Sequence, residues 1–177
     1  MTSAEGTRRR KRHLTHEIVG LPLLKDTNYG MKVSWDALDN QDVDLDLQAL
    51  IVDKHGFIVD VVYYNNPVAL EGAVSSTGDM REGPSIQETI WVRLSKTPKV
   101  VKLIIFVLAA YNGTSLKDAK HGRLNVYEGN LIKKVASMRI ENTVADADMI
   151  AAFKRQDDES WELMEIDEVA ESGSHFL

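Results

Sequence analysis

Asp42-Val43-Asp44-Leu45-Asp46-Leu47 alternates carboxylates with aliphatic side chains, which is the period of a β-strand and not of a helix. In an extended chain Val43, Leu45 and Leu47 face one way and the three aspartates the other. A row of like charges on one strand face is destabilising unless something cationic sits among them. A solvated strand face is one reading of that row. A bound divalent cation is the other, and it asks for further oxygen ligands elsewhere in the chain.

Working outward, β-type segments recur on both sides of this stretch. Met31-Lys-Val-Ser-Trp35-Asp36 alternates as a strand, and Asp39-Asn40-Gln41 is turn material before the acidic strand, Asp42 to about Val52. Asp53-Lys-His-Gly56 reads as a hairpin turn into Phe57–Tyr64, which is rich in β-branched and aromatic residues and stops at Asn65-Asn66-Pro67. A loop from Ala69 to Ser85 precedes strands near Gln87–Leu94, Val100–Tyr111, Gly122–Glu128 and Leu131–Ile140. Ala145, Met149, Ala152 and Phe153 fall at helical spacing, so the pattern predicts one helix from an Asn142 cap to about Arg155. A strand near Trp161–Ile166 closes the domain. The predicted fold is therefore all-β with one late helix, an antiparallel two-sheet β-sandwich. The unbroken apolar run Leu103–Ala110 should be covered on both faces, with the Met149/Phe153 helix as its outer lid.

Composition bounds the function. The chain has 177 residues, no cysteine and a net charge of −6, so disulfides and Cys-based metal sites are excluded. The apolar run 103–110 is far shorter than the roughly 20 residues of a membrane helix, and we expect a soluble, cytoplasmic protein. Residues 1–12 carry +4, leaving −10 on residues 13–177. An acidic body disfavours nucleic acid as a partner of the folded domain and suits a cation. The expected organisation is a basic disordered tail (1–16), a sandwich domain (17–168) and a short C-terminal tail (169–177). The cluster Arg8–Arg12 is a solvated tail, a nuclear address or a grip on anionic lipid or nucleic acid, and with a bound Ca²⁺ it would suit calcium-dependent attachment to an anionic membrane surface.

The acidic strand is not a helix–loop–helix calcium motif. Counted from Asp42, position 6 is Leu47 instead of Gly, and position 12 is Asp53 instead of Glu. Alternate residues on a strand lie roughly 6.7 Å apart, whereas oxygens on one Ca²⁺ sit within about 5 Å of each other. Two neighbouring aspartates can share an ion; three on a regular strand cannot. Asn65, Asn66, Asp79, Glu82 and Glu88 are the oxygen-bearing residues placed to complete a shell, and hard oxygens without His or Cys favour Ca²⁺. No nucleophile–base pair, Walker loop or His pair is visible, so an enzyme is not expected.

Ser34-Trp35-Asp36, Val43-Asp-Leu-Asp46, Phe57…Tyr64-Asn-Asn66 and Thr77-Gly-Asp79, in this order, resemble the TerD family over about residues 30–167. The resemblance implies a calcium-binding β-sandwich associated with tellurium resistance and stress responses; an ion fixing the loops at one end of the sandwich would expose or build a surface for an unidentified protein partner. Some family members are described as binding cyclic nucleotides. By position, Asp44, Asp46, Asn65, Asn66 and Asp79 match the family's calcium-site residues; Asp42 and Glu88 join the candidate ligands on placement alone. One ion is expected at Asp44 and Asp46. The family's acidic loop is shortened here to Met80–Glu88 and has gained Arg81, which argues against a second ion.

Overall fold

The computed structural model describes residues 20–36, 43–82, 84–111, 113–140 and 146–169, with side chains to Ile166. Thirteen strands form two antiparallel sheets. In chain order they are β1 (Leu21–Leu23), β2 (Asn28–Asp36), β3 (Leu45–Asp53), β4 (Ile58–Val62), β5 (Val68–Ala69), β6 (Val74–Ser76), β7 (Met80–Glu82), β8 (Ser85–Arg93), β9 (Val101–Ala110), β10 (Lys120–Glu128), β11 (Lys133–Arg139), β12 (Ala147–Arg155) and β13 (Trp161–Val169). One sheet runs β1-β13-β12-β9-β3-β4; the other runs β11-β10-β2-β8-β6-β5, with β7 also on β8. The all-β, two-sheet sandwich expected from the alternating segments is the observed architecture.

Strand alternation builds the core. Leu45, Leu47, Ala49 and Ile51 of β3 face inward beside Ile104, Phe106 and Leu108 of β9, against Met31, Val33, Trp35, Ile90 and Val92 of the facing sheet. Phe153 packs edge-on to Phe106 and Tyr29, at ring-centroid distances of 4.9 and 6.0 Å. The register between β3 and β9 pairs Leu45 with Ala110 and continues to Asp53 with Val101. Trp35 is a core residue whose indole N–H donates to the Val43 carbonyl at 2.9 Å, tying the entry of β3 to β2.

The late helix is corrected. Ala147–Arg155 is strand β12, inserted between β9 and β13. A β-bulge between Met149 and Ala151 switches the inward face. Ala147 and Met149 join Val107 and Ala109 in a small outer cluster, while Ala151 and Phe153 join the core. Residues of the same parity thus lie on opposite faces, which breaks the period of two and imitates helical spacing. Asn142 and Ala145, offered as the cap and first apolar position, lie outside the described residues. Val107 and Ala109 are buried on the outer face as expected, beneath no helical lid among the described residues.

The other differences are small. The expected loop from Ala69 to Ser85 contains the short strands β6 and β7, and β13 runs to Val169, one residue past the expected domain end. The tail 1–16 lies outside the described residues. Among the described residues no helix is long and apolar enough to cross a membrane.

Candidate metal centre

Strand β4 pairs with β3 only along Ala49–Val52, so the first half of β3 has no ladder partner on that side. A pocket of about 450 Å³ occupies this ledge, lined by Asp44, Leu45, Asp46, Tyr64, Gly78, Asp79, Glu88 and Tyr111. Three segments meet there: the entry of β3, the turn after β4 and the Thr77–Asp79 loop between β6 and β7. Among the described residues no Lys, Arg or His lines it. Arg81, which threatened the site on sequence grounds, is an exposed residue of β7 outside the lining.

Each wall has a local cause. Thr77 fixes its loop to β8, its backbone N–H donating to the Thr89 carbonyl and its hydroxyl accepting from the Thr89 N–H at 3.1 Å. Gly78 takes a left-handed φ of 65°, which turns the chain toward Asp79 at no steric cost. Its N–H donates to the Ser76 hydroxyl at 2.9 Å, and that hydroxyl donates to Glu88 Oε1 at 2.7 Å. Glu88 Oε2 accepts the Leu47 N–H at 2.8 Å. Glu88 therefore reaches from β8 across to the other sheet, serving a backbone donor below the end of the β3–β4 ladder. Asp46 accepts from the Gln48 amide at 2.7 Å and from the Tyr64 backbone N–H, and the same Gln48 amide donates to the Tyr111 hydroxyl at 3.0 Å.

The electrostatics follow from burial and like charge. Burial raises the Glu88 carboxyl from 4.5 to about 7, with Asp46 and Asp79 adding to the rise and its two hydrogen bonds opposing it. Asp46 is raised first by burial and then by the charges of Asp44 and Asp79. Asp79 keeps much of its surface exposed, yet the pocket wall and the charge of Asp44 raise it as well. Tyr111 shifts upward by burial and by Asp46. Among the described residues, the lining forms an acidic concavity.

Of the residues expected as ligands, Asp44, Asp46, Asp79 and Glu88 share the pocket. Asn65 and Asn66 lie in the adjoining turn, closed by reciprocal backbone hydrogen bonds between Tyr63 and Asn66, and the Asn66 amide donates to the Val61 carbonyl at 2.6 Å. Neither asparagine lines the pocket. Asp42 lies outside the described residues. Tyr64 and Tyr111 line the pocket but were not among the expected residues; each sits beside a strand end, and no ligand pattern marks it. Among the described residues no three His, Cys, Asp or Glu side chains are drawn together closely enough to hold a metal. The donor set nonetheless fits a hard cation, being all oxygen and partly desolvated, with no ammonium or guanidinium among the described lining residues.

Fold and site together define a two-sheet β-sandwich with an acidic pocket where one strand outruns its neighbour. The chain belongs to the TerD domain family, whose model matches residues 21–174. It is 32% identical over 105 residues to a tellurium resistance protein TerD of Serratia marcescens, a match covering 55% of this chain and 54% of that protein. The chain thus spans about half the length of this relative. A solved structure of a telluride resistance protein homologue from Streptomyces coelicolor superposes with a TM-score of 0.68 at 21% identity, covering 82% of this chain and 91% of that one. A second solved structure, of a protein of unknown function, gives a TM-score of 0.71 at 16% identity, covering 84% and 92%. At those identities both likenesses bear on the fold alone.

Proposed function

We propose that this chain is a non-enzymatic calcium-binding module of the tellurium-resistance and stress-response type, whose ion orders the loops at one end of the sandwich for a protein partner. One observation carries the reading: Asp44, Asp46, Asp79 and Glu88 share a pocket without a cationic side chain, and three of them are raised in pKa by burial and by one another. Asp44, Asp46 and Asp79 would hold the ion, with oxygens from the Asn65–Asn66 turn beside them. Glu88, both of whose oxygens already accept hydrogen bonds, holds the Ser76 and Leu47 walls in place. A bound calcium supplies the positive charge that the pocket lacks and links the Thr77–Asp79 loop to the entry of β3. The names of the relatives support the tellurium-resistance part.

Thermal melts with calcium and with chelator test the proposal. An ion that binds only the native state stabilises it by about 2.7 kcal/mol at 100 times its dissociation constant. Asp44→Ala and Asp46→Ala should each remove most of that gain. No shift at millimolar calcium overturns the reading.

A further inference from the structure

A second pocket, opposite in charge to the first, lies between the 3-10 turn Leu116–Asp118 and the start of β10 with the end of β11. It measures about 470 Å³. Lys117, Lys120, His121, Arg123 and Arg139 line it, over apolar contributions from Leu116, Ala119 and Ile140, and no carboxylate is among its lining residues. In a body carrying −10, this concentration of cations needs a cause. The nearby acids already have partners. Asp118 accepts from the Ser115 N–H and hydroxyl at 2.8 and 3.1 Å, and Asp36 meets His121 Nδ1 at 2.7 Å.

The backbone here is built to an unusual specification. Arg123 and Arg139 are directly opposed across the β10–β11 pair, an arrangement of like charges that opposes strand pairing. The pairing of β10 with β2 is irregular between Lys120 and Arg123, and such bulges re-aim side chains. Within the bulge His121 holds a left-handed φ of 54°, a conformation that a non-glycine residue adopts at a cost. Next to it, a Cβ on Gly122 would lie 2.8 Å from Ile140 Cδ1 and 3.0 Å from its Cβ, so any larger residue there must push Ile140 aside. Opposed arginines and a strained histidine make no sense as devices for stability. Together they present four permanent cations around one cavity.

We propose that this pocket binds a small oligophosphate, its phosphates held between the Arg123 and Arg139 guanidinium groups and the Lys117 and Lys120 ammonium groups. Guanidinium forks match phosphate oxygens two at a time. Asp118 offsets part of the Lys117 charge, and the positive charge that remains suits a ligand carrying several negative ones, which a single carboxylate does not supply. The volume lies within the range of small-ligand sites. A nucleic acid duplex would track charge over a far longer path than this one cavity offers. The pocket shares no residue with the acidic one, so this inference stands or falls apart from the calcium reading.

Titration calorimetry and thermal melts on the whole chain, in chelator, test it with three probes: sodium tripolyphosphate, ATP and orthophosphate. Tripolyphosphate and ATP should bind and raise Tm, and orthophosphate should bind far more weakly. Equal affinity for the first two identifies the phosphate chain alone as the ligand; tighter ATP binding places its nucleoside on Leu116, Ala119 and Ile140. Arg123→Ala and Arg139→Ala should each weaken binding at least about tenfold. Neither should lower the Tm of the unliganded protein, because each removes a like-charge opposition. Lys117→Ala with Lys120→Ala, on exposed side chains, should weaken binding without touching the fold. Three results overturn the proposal: probes binding no better than orthophosphate, variants binding as the parent does (which assigns the anion to Arg8–Arg12), or a short DNA duplex displacing the probes at lower concentration.

Discussion

Raising the pH of chelator-treated protein from about 5 to about 8 should destabilise the fold by at most about 3 kcal/mol, and Glu88 is the main cause. In the unfolded chain its carboxyl ionises at the ordinary 4.5, whereas in the folded protein it keeps its proton to about 7. Between those values the native state binds more protons than the unfolded state, so stability is full at the acid end and falls as pH rises. At about 1.36 kcal/mol per pH unit, the separation of the two values gives about 3 kcal/mol as an upper figure. Asp46 and Asp79 are raised too and act in the same direction. Asp53, Asp118, Asp158 and Glu159 are lowered by their hydrogen bonds; their contributions are lost only on further acidification and leave this window alone. Urea unfolding followed by tryptophan fluorescence reads the effect, since Trp35 and Trp161 are both buried. Glu88→Gln should flatten the profile. Its carbonyl can still accept from Leu47, and its amide can donate to a reoriented Ser76 hydroxyl. Calcium should restore the stability lost at high pH, because an ion on Asp46 and Asp79 offsets the charges that raise Glu88 and competes directly with protons at those two aspartates. Stability that stays level or rises between pH 5 and 7 in chelator would refute this account of Glu88.

Trp35→Phe should cost about 1–3 kcal/mol in urea unfolding, since it leaves the Val43 carbonyl without its indole donor. Because that bond holds the entry of β3, the same variant should weaken calcium binding in titration calorimetry. Phe106→Ala should cost about 3–5 kcal/mol at an unchanged m-value, because the ring is fully buried against Phe153. Gly122→Ala should destabilise by about 1–3 kcal/mol through its clash with Ile140, and adding Ile140→Val should return part of the loss in a thermal melt.

How far the fold was legible depended on whether each strand kept a simple period. β2, β3, β9 and β10 kept it or ran apolar throughout, and their places were readable to within about three residues at either end. β12 did not, because its bulge reverses which residues face the core, and the sequence carries no mark of the bulge itself. A short strand has the opposite problem. Val74–Ser76 and Met80–Glu82 are three residues each, too few for any period, and their strand character comes from pairing with β8. Neighbours supplied both of these outcomes, and local propensity supplied neither.

At the acidic pocket the divide falls between charge and reach. Asp44 and Asp46 announce themselves because two carboxylates on one strand face need an explanation wherever the strand lies. Glu88 was picked out only as a nearby oxygen, yet its part is more specific: it crosses between sheets to accept Leu47's N–H where β4 no longer runs beside β3. That vacancy exists only because β4 is five residues long and β3 nine. The same ledge admits Tyr64 and Tyr111 to the lining. A strand that outruns its neighbour thus does three things at once. It leaves backbone donors for an acid to serve, opens the cavity, and buries that acid deeply enough to raise its pKa. If the pocket is made this way, lengthening β4 so that it pairs along Leu45–Leu47 should close it. Glu88 would return toward an ordinary carboxyl, and calcium and pH would lose their hold on stability together. Losing one response without the other would show that the ledge is not their common origin.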